Sequence, residues 1–366
     1  MPLKFRIKNK DWTHTTLERE CDIMAKIKHI GQQSVRFEEA PYIIGWGSIA
    51  GKKEGDGPLG SYIDQIETDS MMGKDNWEAA EGEFQKKVVK MALHRCGLNI
   101  GQIQYIVCGD LQSQLTGCVH GMMEFQRPMF GVYGACSTMG ESMSLGAMMI
   151  NGGFANYVIA VTSSHTEVAE RQFRYPVAYG SQKPLSATWT VTGSGAVILG
   201  QQPRGKGPWL KITGVTTGKM MDFGVQDSMN MGACMAPAAA NVILAHFDDF
   251  DTSIDTYDKI VTGDLGTVGR DILFELTKTK KLDIQGKYMD CGIEIYNNEE
   301  QDVHAGGSGC GCSAVVLTSL LFRKLLSGEW KKILFIPTGA LLSKISFNEG
   351  NTIPGIAHGV VIEREE

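Results

Sequence analysis

The chain lacks two features that would insert it in a membrane or export it. None of its 366 residues fall in a run of the roughly 18 uncharged apolar residues that a spanning helix needs. The first ten residues lead into Asp11 with no apolar segment between, so the N-terminus does not resemble a signal peptide. We therefore expect neither a transmembrane segment nor a cleaved leader.

The composition also argues against several classes of binding partner. The net charge is −6 and no block of Lys or Arg occurs, which argues against nucleic acid as a partner. The nine cysteines are odd in number and lie in apolar segments, which indicates free thiols in a reducing compartment. Cys310 and Cys312 lack a second pair at zinc-site spacing, and the glycines around them lack the dinucleotide pattern. We predict no metal and no cofactor.

What the chain does contain is an alternation of strand-like and helix-like segments. Short apolar, β-branched runs alternate with helical ones from about residue 40, which is typical of an α/β fold. Residues 77–96 carry apolar side chains at helical spacing, and Gly97 is a plausible helix stop. The predicted strands are 42–44, 105–107, 157–161, 196–199, 259–261, 333–336 and 360–362.

The chain reads as two related halves. Residues 105–111 (Tyr-Ile-Val-Cys-Gly-Asp-Leu) are echoed by residues 259–265 (Lys-Ile-Val-Thr-Gly-Asp-Leu). Residues 134–137, before one apolar helix, are echoed by residues 311–314 before another. A repeat of this length indicates a duplicated domain. The predicted division is an N-terminal extension over 1–39, a first half over 40–205 and a second half over 206–366.

The most informative single residue is Cys136, in the turn Gly-Ala-Cys-Ser. The segment after it, from Met139 to Ile150, has one charge (Glu141) and predicts a buried helix. Unpaired N–H groups at a helix start favour a thiolate, so Cys136 is a candidate nucleophile or the wall of an anion site. A small core residue is the alternative, and the sequence leaves both open.

Two aspartates follow the duplicated strands. Asp110 and Asp264 both come after a strand-ending Gly, so the repeat places them at equivalent carboxyl ends of strands. Such ends are where α/β folds bind ligands. Asp is also a common turn residue in this position, and that alternative stays open.

Histidines in loops are candidates to converge on Cys136. His165 follows the strand at 157–161, His304 opens a glycine-rich stretch, and His358 precedes the last strand. A nucleophilic Cys needs an imidazole as base or as neighbouring cation. Structural histidines are the commoner case, and sequence alone cannot show proximity.

One connection, residues 163–184, combines cations with aromatic rings. It contains Arg171, Arg174 and Lys183 together with Phe173, Tyr175 and Tyr179. Arginine suits planar capture of carboxylates, and an aromatic ring can stack on a flat ligand. A structural or dimer-forming loop with solvated charges is the alternative.

The duplicated halves, the Cys at a buried helix start and the glycine-rich loop after His304 resemble the thiolase and ketoacyl synthase superfamily. Within it the chain is similar to the stage V sporulation protein AD family of endospore-forming bacteria, over about residues 40–364. The segments that carry this resemblance are 53–60, 130–139, 162–165, 170–176, 180–184, 235–240, 304–310, 338–342 and 357–361.

The resemblance implies a thiolase-like fold with its duplicated βαβ halves packed as α-β-α-β-α layers, usually in a homodimer. It also implies a protein that binds dipicolinate, free or as the calcium chelate. Such a protein acts with membrane-embedded subunits that move dipicolinate in sporulation and germination. We therefore expect it on the cytoplasmic side, peripheral to the spore inner membrane. Dipicolinate is a flat pyridine ring with two carboxylates, which suits a partly apolar slot with hydrogen-bond donors and positive potential.

The enzymes of the superfamily suggest the alternative of an acyltransferase or condensing enzyme. Cys136 matches their nucleophile position and His304 approximately matches a thiolase histidine, with His358 where a second cysteine is expected. Asp264 and glycines stand where ketoacyl synthases have His and Asn, so the set of catalytic residues is incomplete. A protein of this fold can keep the binding pocket after it has lost the catalytic activity. The predicted ligand-binding residues are Cys136, Asp110, Asp264, His165, Arg171, Arg174, His304, Cys310 and His358.

Overall fold

The fold is built on one large mixed sheet. The computed structural model describes residues 28–174 and 182–366. The strands in this part of the chain are β1 His29–Ile30, β2 Ser34–Arg36, β3 Tyr42–Gly51, β4 Gln65–Glu67, β5 Tyr105–Gly109, β6 Met129–Gly131, β7 Tyr157–Ser164, β8 Trp189–Thr190, β9 Gly193–Gly200, β10 Trp209–Thr217, β11 Lys259–Thr262, β12 Tyr288–Asp290, β13 Gly307–Ser308, β14 Lys332–Ile336, β15 Thr338–Ala340 and β16 Gly355–Glu365.

The helices alternate with these strands. They are α1 Lys52–Gly55, α2 Trp77–Cys96, α3 Thr116–Met122, α4 Thr138–Asn151, α5 Thr166–Phe173, α6 Met231–Phe250, α7 Gly266–Thr279, α8 Cys291–Glu294, α9 Cys310–Val316, α10 Phe322–Leu326 and α11 Lys344–Asn348. A π-helical stretch, Leu317–Leu321, joins α9 to α10. Gly97 ends α2 in the left-handed conformation with φ 65°, as the sequence predicts.

The strand order repeats itself in the two halves. The path runs β12-β11-β14-β16-β10 and then β3-β9-β7-β5-β6. In each half the second strand from the outer edge pairs in parallel on both sides, and the next pairings are antiparallel. The halves meet where β10 pairs with β3, at Leu210↔Ile43 and Lys211↔Tyr42. The duplication predicted from sequence is thus visible in the topology.

Helices separate and cover the two sets of strands, which gives the layered α/β architecture. Helix α4 packs on β5 and β7 of the first half and on β10 and β16 of the second. Helix α2 covers the first set from outside, and α6 covers the second. Three apolar clusters fill the spaces between these layers, and the central one includes Met139, Met143 and Phe322.

The predicted N-terminal extension is partly joined to the sheet. Strand β2 pairs with β10, and the Asp249 carboxylate accepts hydrogen bonds from Gln32 N and Gln33 N at 2.7 and 2.9 Å. Residues 28–36 therefore belong structurally with the second half, although they lie before the first. Residues 1–27 of the predicted extension lie outside the described part. The predicted join at 205/206 falls between β9 and β10.

Candidate functional site

The turn that carries Cys136 lies between β6 and the start of α4. Ala135, immediately before it, has φ 48°, a left-handed conformation that is uncommon for a residue with a side chain. The hydroxyls of Ser137 and Thr138 donate to Gly134 O and Ala135 O at 2.7 and 2.6 Å, which fixes the turn. Cys136 is thereby held at the start of the central helix, partly exposed.

The charged neighbour of Cys136 is Asp264. This aspartate follows β11, is fully buried, and accepts hydrogen bonds from Gly309 N at 2.9 Å and Thr338 Oγ1 at 2.8 Å. Burial raises the pKa of Asp264 to about 7, although these hydrogen bonds and the Cys136 thiol oppose the rise. Burial, and then the Asp264 charge, hold the pKa of the Cys136 thiol well above its usual range. The Cys136 sulfur is therefore a protonated thiol at neutral pH.

A cavity opens over Cys136. With the solvent space at its open mouth included, it measures about 490 Å³. Its wall is mainly apolar, with two aromatic rings, three hydroxyls (one of them the Tyr133 phenol) and one guanidinium. The lining residues are Leu111, Tyr133, Ala135, Cys136, Ala169, Phe173, Arg174, Thr190, Met231, Ser308, Ala340 and Leu342. Such a cavity suits a small, partly apolar ligand that also carries negative charge.

Arg174 supplies the positive charge of this cavity. It follows the last residue of α5, and only 6% of its side chain is exposed. One terminal nitrogen pairs with Glu170, and the other donates to Thr188 O at 3.2 Å. The Nε–H is buried and has no hydrogen-bond partner among residues 28–174 and 182–366. A buried donor of this kind favours an incoming acceptor, because leaving it unpaired costs free energy.

A second cation lies behind Arg174. Lys183 Nζ donates to Glu170 at 2.7 Å, so one carboxylate is shared by two cations. Burial and then the Arg174 charge lower the pKa of Lys183. Lys183 and Lys53 each lie 4.4 Å from the ring centroid of Trp189. The region beside the cavity thus carries more positive than negative charge.

Cys310 and Asp110 lie close to the site but serve it differently. Cys310 is fully buried in an apolar cluster with Leu111 and Ala135, against which Cys136 packs, and its thiol donates to Ser163 O at 2.9 Å. The Asp110 carboxylate accepts from Gln112 N and Cys118 N, both at 2.7 Å. Asp110 therefore holds its own loop, which was the alternative that the sequence left open.

His165 belongs to a buried polar network under the cavity wall. Its Nε2 lies 2.8 Å from Ser70 O and its Nδ1 lies 2.9 Å from Glu167. Burial lowers the pKa of His165, but Glu167 and the Ser70 carbonyl more than offset this, and the net shift is upward. The nearby Glu81 accepts from Ser163 Oγ at 2.7 Å, and burial raises its pKa to about 7. His165 does not line the cavity.

Three other predicted residues do not line the cavity over Cys136. His304 contacts Pro184 O at 2.9 Å and Asp302 at 3.1 Å on a surface loop. His358 is buried with Nδ1 accepting from Gly218 N at 3.4 Å, and burial lowers its pKa to about 4. Arg171 pairs with Glu78 and stacks over Trp77. None of the three lines the cavity, because their loops or helix faces direct them elsewhere.

Not all of the residues that line the cavity over Cys136 were predicted from the sequence, and two of the predicted aromatic residues lie outside the described part of the chain. Tyr175 and Tyr179 lie outside the described residues. Tyr133, Ser308 and Thr338 were missed as site residues although all three fall in or beside segments that carry the family resemblance. Their position next to the Cys136 turn and the glycine-rich loop was the available signal.

Two further findings bound the site in the described part of the chain. No helix over residues 28–174 and 182–366 is long and apolar enough to cross a membrane. Within the same ranges, no cluster of three or more His, Cys, Asp or Glu side chains is arranged to hold a metal ion.

Comparisons with solved structures show the fold class. The chain superimposes on 3-oxoacyl-[acyl-carrier-protein] synthase III from Aquifex aeolicus VF5 with TM-score 0.54 and 13% identity, covering 88% of this chain and 99% of that one. Acetamide-bound OleA from Xanthomonas campestris gives TM-score 0.55 and 13% identity, covering 89% and 100%. At this identity the likeness shows a thiolase-like fold and no more.

Comparisons of sequence show the family. Stage V sporulation protein AD from Bacillus subtilis (strain 168) is 42% identical over 338 residues, which cover 92% of this chain and 98% of that protein. The sequence profile of stage V sporulation protein AD (SpoVAD) matches residues 31–363. The chain therefore belongs to the SpoVAD family, and this membership supports a role in sporulation.

Proposed function

We propose that this protein binds dipicolinate, free or as its calcium chelate, in the cavity over Cys136. In this proposal it is a peripheral subunit on the cytoplasmic side of the spore inner membrane. There it works with membrane-embedded subunits that move dipicolinate in sporulation and germination. Two observations support this function: the chain belongs to a sporulation protein family, and its cavity combines aromatic rings with a guanidinium.

The environment of Arg174 is the observation that best supports this proposal. The buried Nε–H of this arginine has no hydrogen-bond partner in the described part of the chain, and the side chain lies in the same wall as the rings of Tyr133 and Phe173. A guanidinium binds a carboxylate strongly, and aromatic side chains favour a flat ring between them. A small aromatic dicarboxylate has both features. The hydroxyls of Thr190 and Ser308 are further donors in the same wall.

The pairing of Cys136 with Asp264 supports binding over nucleophilic catalysis. A nucleophilic thiol needs a neighbour that lowers its pKa, such as an imidazolium. Here the charged neighbour is a carboxylate, and it raises the pKa of Cys136 instead. The two predicted imidazoles, His304 and His358, make their hydrogen bonds elsewhere.

Titration calorimetry with dipicolinate and with calcium dipicolinate tests the binding function. Arg174→Gln should weaken binding roughly 10- to 100-fold, because a hydrogen bond to a charged group contributes about 1.5–3 kcal/mol. Arg171→Gln is the matched control, since it removes an arginine three positions away that does not line the cavity. No heat from wild type at millimolar ligand, or equal losses in both variants, would contradict the proposal.

An acyltransferase is the second candidate, and one observation favours it. The pKa of Asp264, at about 7, suits a general base, and its carboxyl lies beside the Cys136 thiol. Incubation with acyl-CoA thioesters followed by intact-mass measurement distinguishes the candidates. An acyl adduct that is lost in Cys136→Ser would favour the enzyme, and an unmodified chain would favour binding.

We also propose that two copies associate along β6. This strand is the last in its half of the sheet, and within the described residues it pairs only with β5. Its Met129 and Phe130 are 39% and 48% exposed, so an unpaired edge carries apolar side chains. Sedimentation velocity should give a dimer for wild type and a monomer for Phe130→Lys. A monomeric wild type at micromolar concentration would refute this assembly.

A further inference from the structure

Two buried thiols lie in contact beneath the first half of the sheet, away from Cys136. Cys108 is in β5 and Cys118 is in α3, and neither is exposed. The segment between them carries Asp110, which holds the loop, and Leu111, which lines the cavity. We propose that Cys108 and Cys118 are a redox pair that forms a reversible disulfide linking β5 to α3.

The distance between the two sulfurs motivates this proposal. Their Sγ atoms are 2.7 Å apart. Non-bonded heavy atoms normally rest about 3.5–4.0 Å apart, whereas the S–S bond is about 2.0 Å long. The packing of α3 against β5 thus holds the two sulfurs closer than an ordinary non-bonded contact, so only a short further approach is needed to form the bond.

The surroundings of the pair offer no competing use for these thiols. The Gln85 amide lies beside the pair, with Oε1 accepting from Cys108 at 3.3 Å and Nε2 lying 3.5 Å from Cys118 Sγ. No metal-binding cluster includes them in the described part of the chain. Burial raises the pKa of both thiols, so they stay protonated and react slowly while the fold is closed.

Access to the pair runs through the surface face of α3. Val119, next to Cys118, is 45% exposed, so only one face of this short helix separates the thiol from solvent. A local opening of α3 would expose Cys118 to a small oxidant. Because the pair lies in the rigid first half, the rest of the fold need not open.

The chemistry balances with a hydroperoxide as oxidant. Once α3 opens, Cys118 loses its proton to solvent and the thiolate attacks one peroxide oxygen; the O–O bond breaks, and the released hydroxide takes up a proton to give water and a sulfenic acid. The Cys108 sulfur then attacks the sulfenic sulfur and displaces hydroxide, which combines with the Cys108 proton to give a second water. Two thiols are oxidised, one hydrogen peroxide is reduced, and a thiol reductant reverses the bond.

The bond would restrain the wall of the cavity. It closes the ten-residue separation between the two cysteines, which contains Leu111. A cross-link of this kind reduces the freedom of the unfolded chain, so the oxidised protein should melt a few degrees higher than the reduced protein.

Peptide mapping of the full chain tests the proposal. The protein is treated with hydrogen peroxide, its remaining thiols are alkylated after denaturation, and the digest is analysed with and without dithiothreitol. We expect a reducible peptide linking Cys108 to Cys118 in wild type. The linked peptide should persist in Cys96→Ser, a matched buried thiol on α2, and be absent from Cys108→Ser.

Two results would overturn the proposal. One is recovery of both cysteines as alkylated thiols after peroxide, even in mild urea that promotes local opening. The other is a linked protein that melts below its reduced form, because a bond formed only in the unfolded chain would strain the native packing. The mapping uses wild type, so it does not depend on the folding of any variant.

Discussion

In each half of the chain, a buried carboxylate fixes the loop that follows the duplicated strand, β5 or β11. The carboxylate comes from a different position in each half. In the first half, Asp110 accepts the backbone N–H groups of its own loop, from Gln112 and Cys118. In the second half, Asp290 from the neighbouring strand accepts two backbone N–H groups of the loop after β11, from Leu265 and Gly266. Asp264 is thereby free of that task and lies beside Cys136.

This difference shows that a repeated sequence motif need not repeat its role. The strand-Gly-Asp pattern places both carboxyls at equivalent strand ends, but a third aspartate holds the loop of the second half and leaves Asp264 to contact Cys136. The cysteines at the two helix starts differ in the same way. Cys136 lines the cavity, whereas Cys312, its counterpart in the repeat, is fully buried.

The largest expected effect concerns the aspartates that hold the loops. Asp290 accepts four hydrogen bonds, three of them from backbone N–H groups. Asp290→Ala should lower the free energy of unfolding by about 3 kcal/mol or more, because buried donors are left unpaired. Asp264→Ala should cost less, since it strands a single N–H and a hydroxyl that can rotate. Urea unfolding measures both, and an equal cost would remove the distinction between the two aspartates.

The next effect is the pH dependence of stability. The pKa of Asp264 is about 7 when folded and close to its ordinary value when unfolded, so the folded chain binds this proton more tightly. The free energy of unfolding should therefore fall as pH rises from about 4 to about 7, by at most a few kcal/mol from this group. Asp264→Asn should flatten that fall, whereas Asp75→Asn, at an exposed position, should leave it unchanged. An unaltered slope in Asp264→Asn would show that another group, such as Glu81, dominates.

A smaller effect concerns the reactivity of Cys136. Removing the Asp264 charge should lower the pKa of the Cys136 thiol and speed its alkylation by iodoacetamide severalfold at pH 8. Mass spectrometry after timed quenching gives the rate, with the buried Cys310 as an internal comparison in the same chain. Slower alkylation of Cys136 in Asp264→Asn would instead indicate that the carboxylate acts as its base.

The smallest effect is expected at His304. Its contacts with Pro184 and Asp302 lie on a surface loop, and such exposed pairs contribute about 0–1 kcal/mol. His304→Ala should leave dipicolinate binding unchanged in calorimetry. A loss of binding comparable to that of Arg174→Gln would place His304 in the site after all.

The sequence was informative where a local pattern determines the structure. All seven predicted strands are present. Each is a short, continuous run of apolar and β-branched residues, and such a run is typical of a buried strand. Strand β10 was missed, since its buried residues alternate with Lys211 and the partly buried Trp209 and produce no continuous apolar run. The strands that pair with β10 lie far away in the chain, and no local sequence pattern indicates which strands they are.

The site was less predictable, because side-chain direction is set by tertiary packing. Arg171 and Arg174 are three residues apart at the end of one short helix, yet only Arg174 lines the cavity. The glycines near His304 do meet a close approach, with φ 125° at Gly306 and 103° at Gly309. What approaches them is neighbouring backbone and Ser164 rather than a ligand, and residue type cannot distinguish these cases.

The placement of helix α4 has a consequence for how the protein is made. Because this helix packs on strands of both halves, neither half can enclose a complete core by itself. A nascent chain that has emerged only as far as β9 would expose the apolar face meant for β10 and β16. Stability should therefore arrive in one cooperative step after the last strand is synthesised, and until then the chain depends on whatever protects unfinished proteins in the sporulating cell.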